Sequence, residues 1–169
     1  MGKIVIFGNG DIGELAELYF RTDSKHEVVA FVADDEYVKS DTFCSLPLIK
    51  LSTLLEKYTP NKFKMFVALS YSNMNKDRAK KYEQIKNMGY TLVSYISSHC
   101  TNLTEKKIGD NCFILEDNTI QPFVKIGNNV IIWSGNHIGH ESVIEDNCYI
   151  TSHVIISGHV HIHSFCFIG

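Results

Sequence analysis

From residue 108 the chain reads I-G-D-N-C-F, I-L-E-D-N-T, I-Q-P-F-V-K, I-G-N-N-V-I, I-W-S-G-N-H, I-G-H-E-S-V, I-E-D-N-C-Y, I-T-S-H-V-I, I-S-G-H-V-H, I-H-S-F-C-F, I-G, ending at residue 169. Isoleucine fills positions 108, 114, 120, 126, 132, 138, 144, 150, 156, 162 and 168 without a gap. A period of six fits neither a helical face nor the two-residue alternation of a meander. It predicts a parallel β-helix with one short strand per hexapeptide and three hexapeptides per triangular coil. The fifth position of the repeat is mostly small, as at Cys112, Val124, Val130, Ser142, Cys148, Val154, Val160 and Cys166. Residues three repeats apart stack, so Cys112, Val130, Cys148 and Cys166 form one column. These cysteines are expected to pack as small apolar residues.

The N-terminal half is built differently. K-I-V-I-F-G-N-G-D-I-G-E-L-A opens it, an apolar strand over Ile4 to Phe7 followed by Gly8, Gly10 and Gly13 and then a helical pattern. Glycines at that spacing let a ligand approach the backbone, and a helix N-terminus offers free N–H groups to a phosphate. Asp11 belongs to the same turn. A second strand, Glu27 to Ala33, ends at Asp34 and Asp35, about 20 residues beyond the last glycine, where an acid can accept hydrogen bonds from a ribose or a base. A third strand over Lys64 to Leu69 ends at Ser70, a helix covers Asn75 to Met88, and a fourth strand spans Tyr90 to Ile96. The pattern predicts an α/β Rossmann-like domain over 1–96, with ligand at the carboxyl ends of its strands. Its length suits one nucleotide rather than a dinucleotide. An all-β parallel β-helix follows over 97–169.

Charge divides the same way. Of 16 Lys and Arg residues none lies beyond Lys125, whereas six of eight histidines fall between His137 and His163. A formal net charge of −3 and the lack of a basic cluster argue against nucleic acid as a partner. No apolar run approaches the length of a membrane span, and no signal peptide opens the chain, so membrane insertion is not expected. Five cysteines without a C-x-x-C fit reduced thiols and a cytoplasmic location.

The period-six run resembles the hexapeptide acyltransferases, whose β-helix is left-handed; that hand comes from the resemblance, since general rules favour the right hand for parallel crossovers. Joined to a small nucleotide-binding domain, it resembles sugar acetyltransferases of the PglD/NeuD type. The likeness rests on K-I-V-I-F-G-N-G, F-V-A-D-D, N-K-D-R (Asn75 to Arg78) and G-N-H-I-G-H. It implies an acetyl-CoA-dependent acetyltransferase, working as a homotrimer and requiring no metal, that acylates the amine of a UDP- or dTDP-linked amino sugar. The alternative acceptor is a hydroxyl of sialic acid or another glycan sugar.

By its place in G-H-E-S-V-I-E-D, His140 matches the family's general base. An amine attacking a thioester must lose a proton, and imidazole accepts protons near neutral pH. Glu141 follows directly, where a carboxylate would orient the ring, provided the chain bends there. The resemblance also places Gly158 and His153 at acetyl-CoA, and Ser70, Asn75 and Arg78 with Gly8, Gly10, Asp11, Gly13, Asp34 and Asp35 at the nucleotide sugar. His137 is expected to point outward, and Glu141 and His159, three repeats apart, to stack. A zinc β-helix resembling the γ-carbonic anhydrases and a non-catalytic scaffold are the competing readings. Against zinc, no histidine lies between His99 and His137 to supply the ligand from an earlier coil. The chain ends at the opening of a repeat without a cap, so further coils are expected beyond Gly169.

Overall fold

The computed structural model describes residues 2–169. They form two compact units, one of residues 2–70 with Lys81–Val93 and one of Tyr71–Lys80 with Ser94–Gly169.

In the first unit, β1 (Gly2–Phe7), β2 (His26–Ala33), β3 (Thr42–Phe43), β4 (Leu46–Lys50) and β5 (Lys64–Val67) form one sheet in the order β3-β4-β2-β1-β5. All neighbours are parallel except the β3–β4 hairpin at the edge. Ile4, Val5, Ile6 and Phe7 are all buried, the continuous apolar signature of a parallel strand covered on both faces. Helix α1 (Asp11–Thr22) buries Ala16 and Phe20, and Phe20 meets Phe66 edge-on at 5.2 Å. Val5, Phe7, Val32, Met65 and Val67 pack with Ile85 and Tyr82. Those two lie on helix α3 (Lys76–Asn87), which follows the short α2 (Leu54–Lys57). Of the segment expected as a fourth strand, Tyr90 to Ile96, only Leu92 bridges this sheet, in parallel with Met65.

The second unit begins earlier than the repeat suggests. Strand β6 (Tyr95–Ile96) pairs with β8 (Phe113–Ile114), and β7 (Thr101–Asn102) with β9 (Thr119–Ile120), so this stretch already lies in the β-helix. The Ser94 hydroxyl donates to the Gly109 carbonyl and accepts from the Cys112 N–H. Residues 94–96, expected in the first domain, are therefore claimed by the second.

Strands β10 (Lys125–Ile126), β11 (Ile131–Ile132), β12 (His137–Ile138), β13 (Val143–Ile144), β14 (Tyr149–Ile150), β15 (Ile155–Ile156), β16 (His161–Ile162) and β17 (Phe167–Ile168) complete three parallel sheets. Their orders are β10-β13-β16, β17-β14-β11-β8-β6 and β15-β12-β9-β7. Isoleucine faces isoleucine one coil on, as in Ile114, Ile132, Ile150 and Ile168. All the repeat isoleucines belong to one core, with Cys112, Val130 and Cys148 buried beside them and Cys166 packed against them. Desolvation pushes the Cys112 thiol up to about 12 and that of Cys148 up to about 11, as expected of packing residues.

Each corner turns on one residue in the left-handed region. Asn111, Asp117, Phe123, Asn129, Gly135, Glu141, Asn147, His153, His159 and Phe165 all have φ between 53° and 76°. Asparagine tolerates this conformation best after glycine, and here it also forms a ladder. Asn111 Nδ2 donates to Asn129 Oδ1, and Asn129 Nδ2 to Asn147 Oδ1, each at 2.8 Å.

Candidate active site

His140 and Glu141 occupy one of these corners. Gly139 before them is dictated by crowding: a Cβ there would stand 2.4 Å from the backbone nitrogen of Gly158. Glu141 has φ 60°, and its N–H donates to the Pro122 carbonyl of the preceding coil at 3.2 Å. The bend required for a Glu141–His140 contact is thus present, yet no hydrogen bond joins their side chains among the described residues. Other groups hold His140. Its N–H donates to Gln121 Oε1 at 2.9 Å, and its carbonyl accepts the His159 N–H at 2.9 Å. The His159 ring stands edge-on to the His140 ring, centroids 4.9 Å apart and planes at 87°. His159 therefore partners His140 rather than Glu141.

Gly158 has a different use from the one expected. A Cβ there would come within 2.8 Å of His140 Nε2 and 3.1 Å of two ring carbons. The space over Gly158 is filled by the imidazole, not kept clear for a ligand. Gln121 was missed in the sequence and His159 was assigned to Glu141; the signal for both was their offset of three repeats plus one on either side of His140. His153 turns a different corner, where its ring lies over Gly135, so the structure does not bring it to His140. His137 is exposed on β12, as alternation requires.

In the first unit the glycine turn is tightly packed. Gly8 has φ 120° and its N–H bonds the Val32 carbonyl, while a Cβ at Gly13 would lie 2.2 Å from the Gly8 carbonyl oxygen. Gly10 precedes α1, and a Cβ added there would meet nothing within 4 Å; Asp11 is exposed in the first turn. Asp34 and Asp35 line a cavity of about 490 Å³ with Ser52, Leu51, Gln84 and Met88, at the carboxyl ends of β2 and β4. Both carboxylates are already engaged. Lys81 Nζ lies 2.6 Å from Asp34 Oδ1, and the Ser52 hydroxyl and N–H donate to Asp35, which holds its carboxyl below the usual range. Ser70 follows β5, partly exposed.

Asn75 and Arg78 require correction. Both are fully buried, within the second unit. Arg78 Nη2 donates to the carbonyls of Asn129 and Cys148 at 3.1 Å each, Nε to Asn129 Oδ1 at 3.3 Å, and Nη1 to Asn75 Oδ1 at 3.0 Å. Asn75 Nδ2 donates to the Cys166 carbonyl. Burial lowers the guanidinium to about 10, so it stays charged at neutral pH. These side chains tie Tyr71–Lys80 to the coils and leave nothing to offer a substrate.

The fold and its corners define a hexapeptide-repeat parallel β-helix joined to an α/β unit. Residues 105–140 match the family described as bacterial transferase hexapeptide (six repeats). Over 85 residues the chain is 33% identical to acyl-(acyl-carrier-protein)–UDP-N-acetylglucosamine O-acyltransferase of Stutzerimonas stutzeri (strain A1501), covering 39% of this chain. The match spans 33% of that relative's length. WeeI from Acinetobacter baumannii AYE superposes with a TM-score of 0.76 at 19% identity, over 95% of this chain and 74% of that one. A mutant of perosamine N-acetyltransferase from Caulobacter crescentus, in complex with CoA and GDP-perosamine, gives 0.62 at 16% identity over 100% and 89%. The acetyltransferase domain of PglB from Neisseria gonorrhoeae FA1090, in complex with acetyl coenzyme A, gives 0.56 at 19% over 98% and 92%. At these identities the likeness shows the fold. Among the described residues no helix is long and apolar enough to cross a membrane.

Proposed function

We propose that this protein transfers an acetyl group from acetyl-CoA to the amine of a nucleotide-linked amino sugar, with His140 as general base. The observation that carries the reading is an exposed imidazole, seated over Gly158 and braced by His159, on a corner of a hexapeptide β-helix. Solved proteins of the same fold support it: one is named perosamine N-acetyltransferase and was determined with CoA and GDP-perosamine, another the acetyltransferase domain of PglB, determined with acetyl coenzyme A. Left-handed winding, a homotrimer and a cytoplasmic location belong to the same proposal.

The chemistry follows from what the residues can supply. The acceptor's neutral amine attacks the thioester carbonyl carbon, and His140 takes the proton the nitrogen loses. The C–S bond breaks as the tetrahedral adduct collapses, and the imidazolium returns the proton to the CoA thiolate. Glu141, on the same turn, stabilises the imidazolium by its charge. Gly158 stays beside the reacting centre as the seat of the base. The nucleotide belongs to the first unit, where the Gly8–Gly13 turn offers the N–H groups of α1 to a phosphate. At the cavity bordered by Asp34 and Asp35, the carboxylate lone pairs that Lys81 and Ser52 leave over accept from a ribose or base.

An oxygen acceptor is the second reading, favoured by the O-acyltransferase among the relatives. Both are tested by thiol release from acetyl-CoA against UDP-, dTDP- and GDP-linked amino sugars and free sialic acid. Transfer to a nucleotide amino sugar, lost by about 100-fold or more in His140→Ala, is the expected result. Undiminished transfer in that variant would overturn the role of His140, and turnover confined to sialic acid would favour the oxygen acceptor.

A further inference from the structure

Away from the His140 corner, Glu145, His161 and His163 bring one carboxylate oxygen and two imidazole nitrogens within 4.8 Å of one another. His161 Nε2 lies 2.8 Å, and His163 Nδ1 3.3 Å, from the same oxygen, Oε1 of Glu145. The other carboxylate oxygen is fixed from behind: the Ser164 N–H and hydroxyl both donate to Oε2, at 2.9 and 3.0 Å. The arrangement is written into the fold. His161 lies on β16, which pairs with β13, where His161 faces Val143. His163 comes two residues later, one coil beyond Glu145, and the two rings sit 4.4 Å apart.

We propose that Glu145, His161 and His163 form a binding site for a divalent first-row transition ion of the zinc class. Two imidazoles and one carboxylate are donors of borderline softness that suit zinc, copper or nickel better than calcium or magnesium. The spacing agrees. Ligands at about 2.0–2.1 Å from a tetrahedral zinc stand roughly 3.3 Å from one another, the separation already found between His163 and Glu145. A small opening of the His161–Glu145 contact from 2.8 Å brings the second edge to that length, and the third, between the two imidazoles, lies within 4.8 Å and is adjusted by ring rotation at the exposed surface. A ligating carboxylate is ordinarily oriented through its free oxygen, and Ser164 performs that task here. The side chains are 36–75% exposed, so an ion reaches them without unfolding, and a fourth position stays open to water. The ion takes no part in acetyl transfer. It fastens one coil to the next, because Glu145 and His163 lie on successive coils.

The test uses untagged full-length protein freed of metal by chelation and titrated with zinc chloride by calorimetry, with thermal unfolding followed in parallel. One zinc per chain and a rise in Tm with zinc are expected, since an ion that binds only the folded state stabilises it. His161→Ala/His163→Ala is expected to abolish both, and Ser164→Ala to weaken binding by about tenfold. A His137→Ala control, on an exposed histidine outside the triad, should bind as the parent does. No zinc uptake at millimolar concentration by the parent, or equal uptake by the double variant, would overturn the site. Circular dichroism of each variant without metal separates lost ligation from lost fold. The acetyl-transfer assay is read independently, so either proposal can fail alone.

Discussion

The imidazole of His140 rests on the α-carbon of Gly158, with Nε2 2.8 Å from where a β-carbon would stand. Gly158 lacks a positive φ, so alanine suits its backbone and only the far end of an exposed ring must yield. Gly158→Ala should therefore fold with nearly unchanged Tm while displacing the base, and a misplacement near 1 Å costs up to about 100-fold in rate. Gly139→Ala is the contrasting case, because its new methyl group would meet backbone atoms rather than a mobile ring. It should lower Tm as well. Comparing kcat and Tm for the two variants checks the assignment; an unimpaired Gly158→Ala enzyme would sink it.

Arg78 should be a stability residue. Arg78→Met takes from the Asn129 carbonyl and Asn75 Oδ1 the donor this side chain supplies, while the Cys148 carbonyl keeps the Ile131 N–H, and is expected to cost about 2–4 kcal/mol in urea unfolding. Arg78→Lys should recover only part of the loss, since an ammonium lacks the planar fork that reaches Asn75 and Asn129 together. A loss below about 1 kcal/mol, the range of a surface contact, would contradict this role.

The pH dependence of stability should carry a contribution from His26. Burial, with smaller contributions from Lys64 and Lys25, lowers its pKa from the ordinary 6.5. The unfolded chain then binds the proton more readily than the folded one, so stability rises with pH across that interval. The contribution is fully present above pH 6.5 and is lost as pH falls towards the lowered value. Urea midpoints at pH 7.5, 6.5 and 5.5 should fall more steeply on the acid side for the parent than for His26→Gln. Parallel profiles would rule it out.

Thiol chemistry should be silent in the core. Cys112 and Cys148 are fully buried, and burial raises Cys100 to about 11 as well. Alkylation with iodoacetamide at pH 8, mapped by mass spectrometry, should spare Cys112 and Cys148 until denaturant is added. Labelling of either in the native protein would require the coils to open.

The isoleucine ladder was legible because a period of six is imposed by the coil itself, and no other regular structure asks for it. The corners were legible only in part. Asn111, Asn129 and Asn147 advertise a left-handed turn, whereas Phe123, His159 and Phe165 adopt the same φ under constraint from neighbouring coils. Arg78 was misread for a related reason: two of its acceptors are the backbone carbonyls of Asn129 and Cys148, which leave no side-chain signature. Asn73, Met74 and Asn75 all have positive φ, which stops α3 from starting at Asn75. His140 was singled out by its place in the repeat, whereas the groups that hold it were illegible, since Gln121 and His159 become its neighbours only after the chain has wound through a coil.

The same register has a consequence for how such a chain can change over evolutionary time. Every strand in the β-helix meets its partner one full coil away, as Ile126 meets Ile144 and then Ile162. A single inserted residue would rotate all later side chains off their columns, whereas a whole coil could be gained or lost with every column intact. Each such step shifts the later coils by one strand spacing, about 4.8 Å. Length along the axis is therefore inherited in whole increments, and the corner bearing His140 keeps its neighbours wherever the coil is gained or lost outside Gln121 to His159.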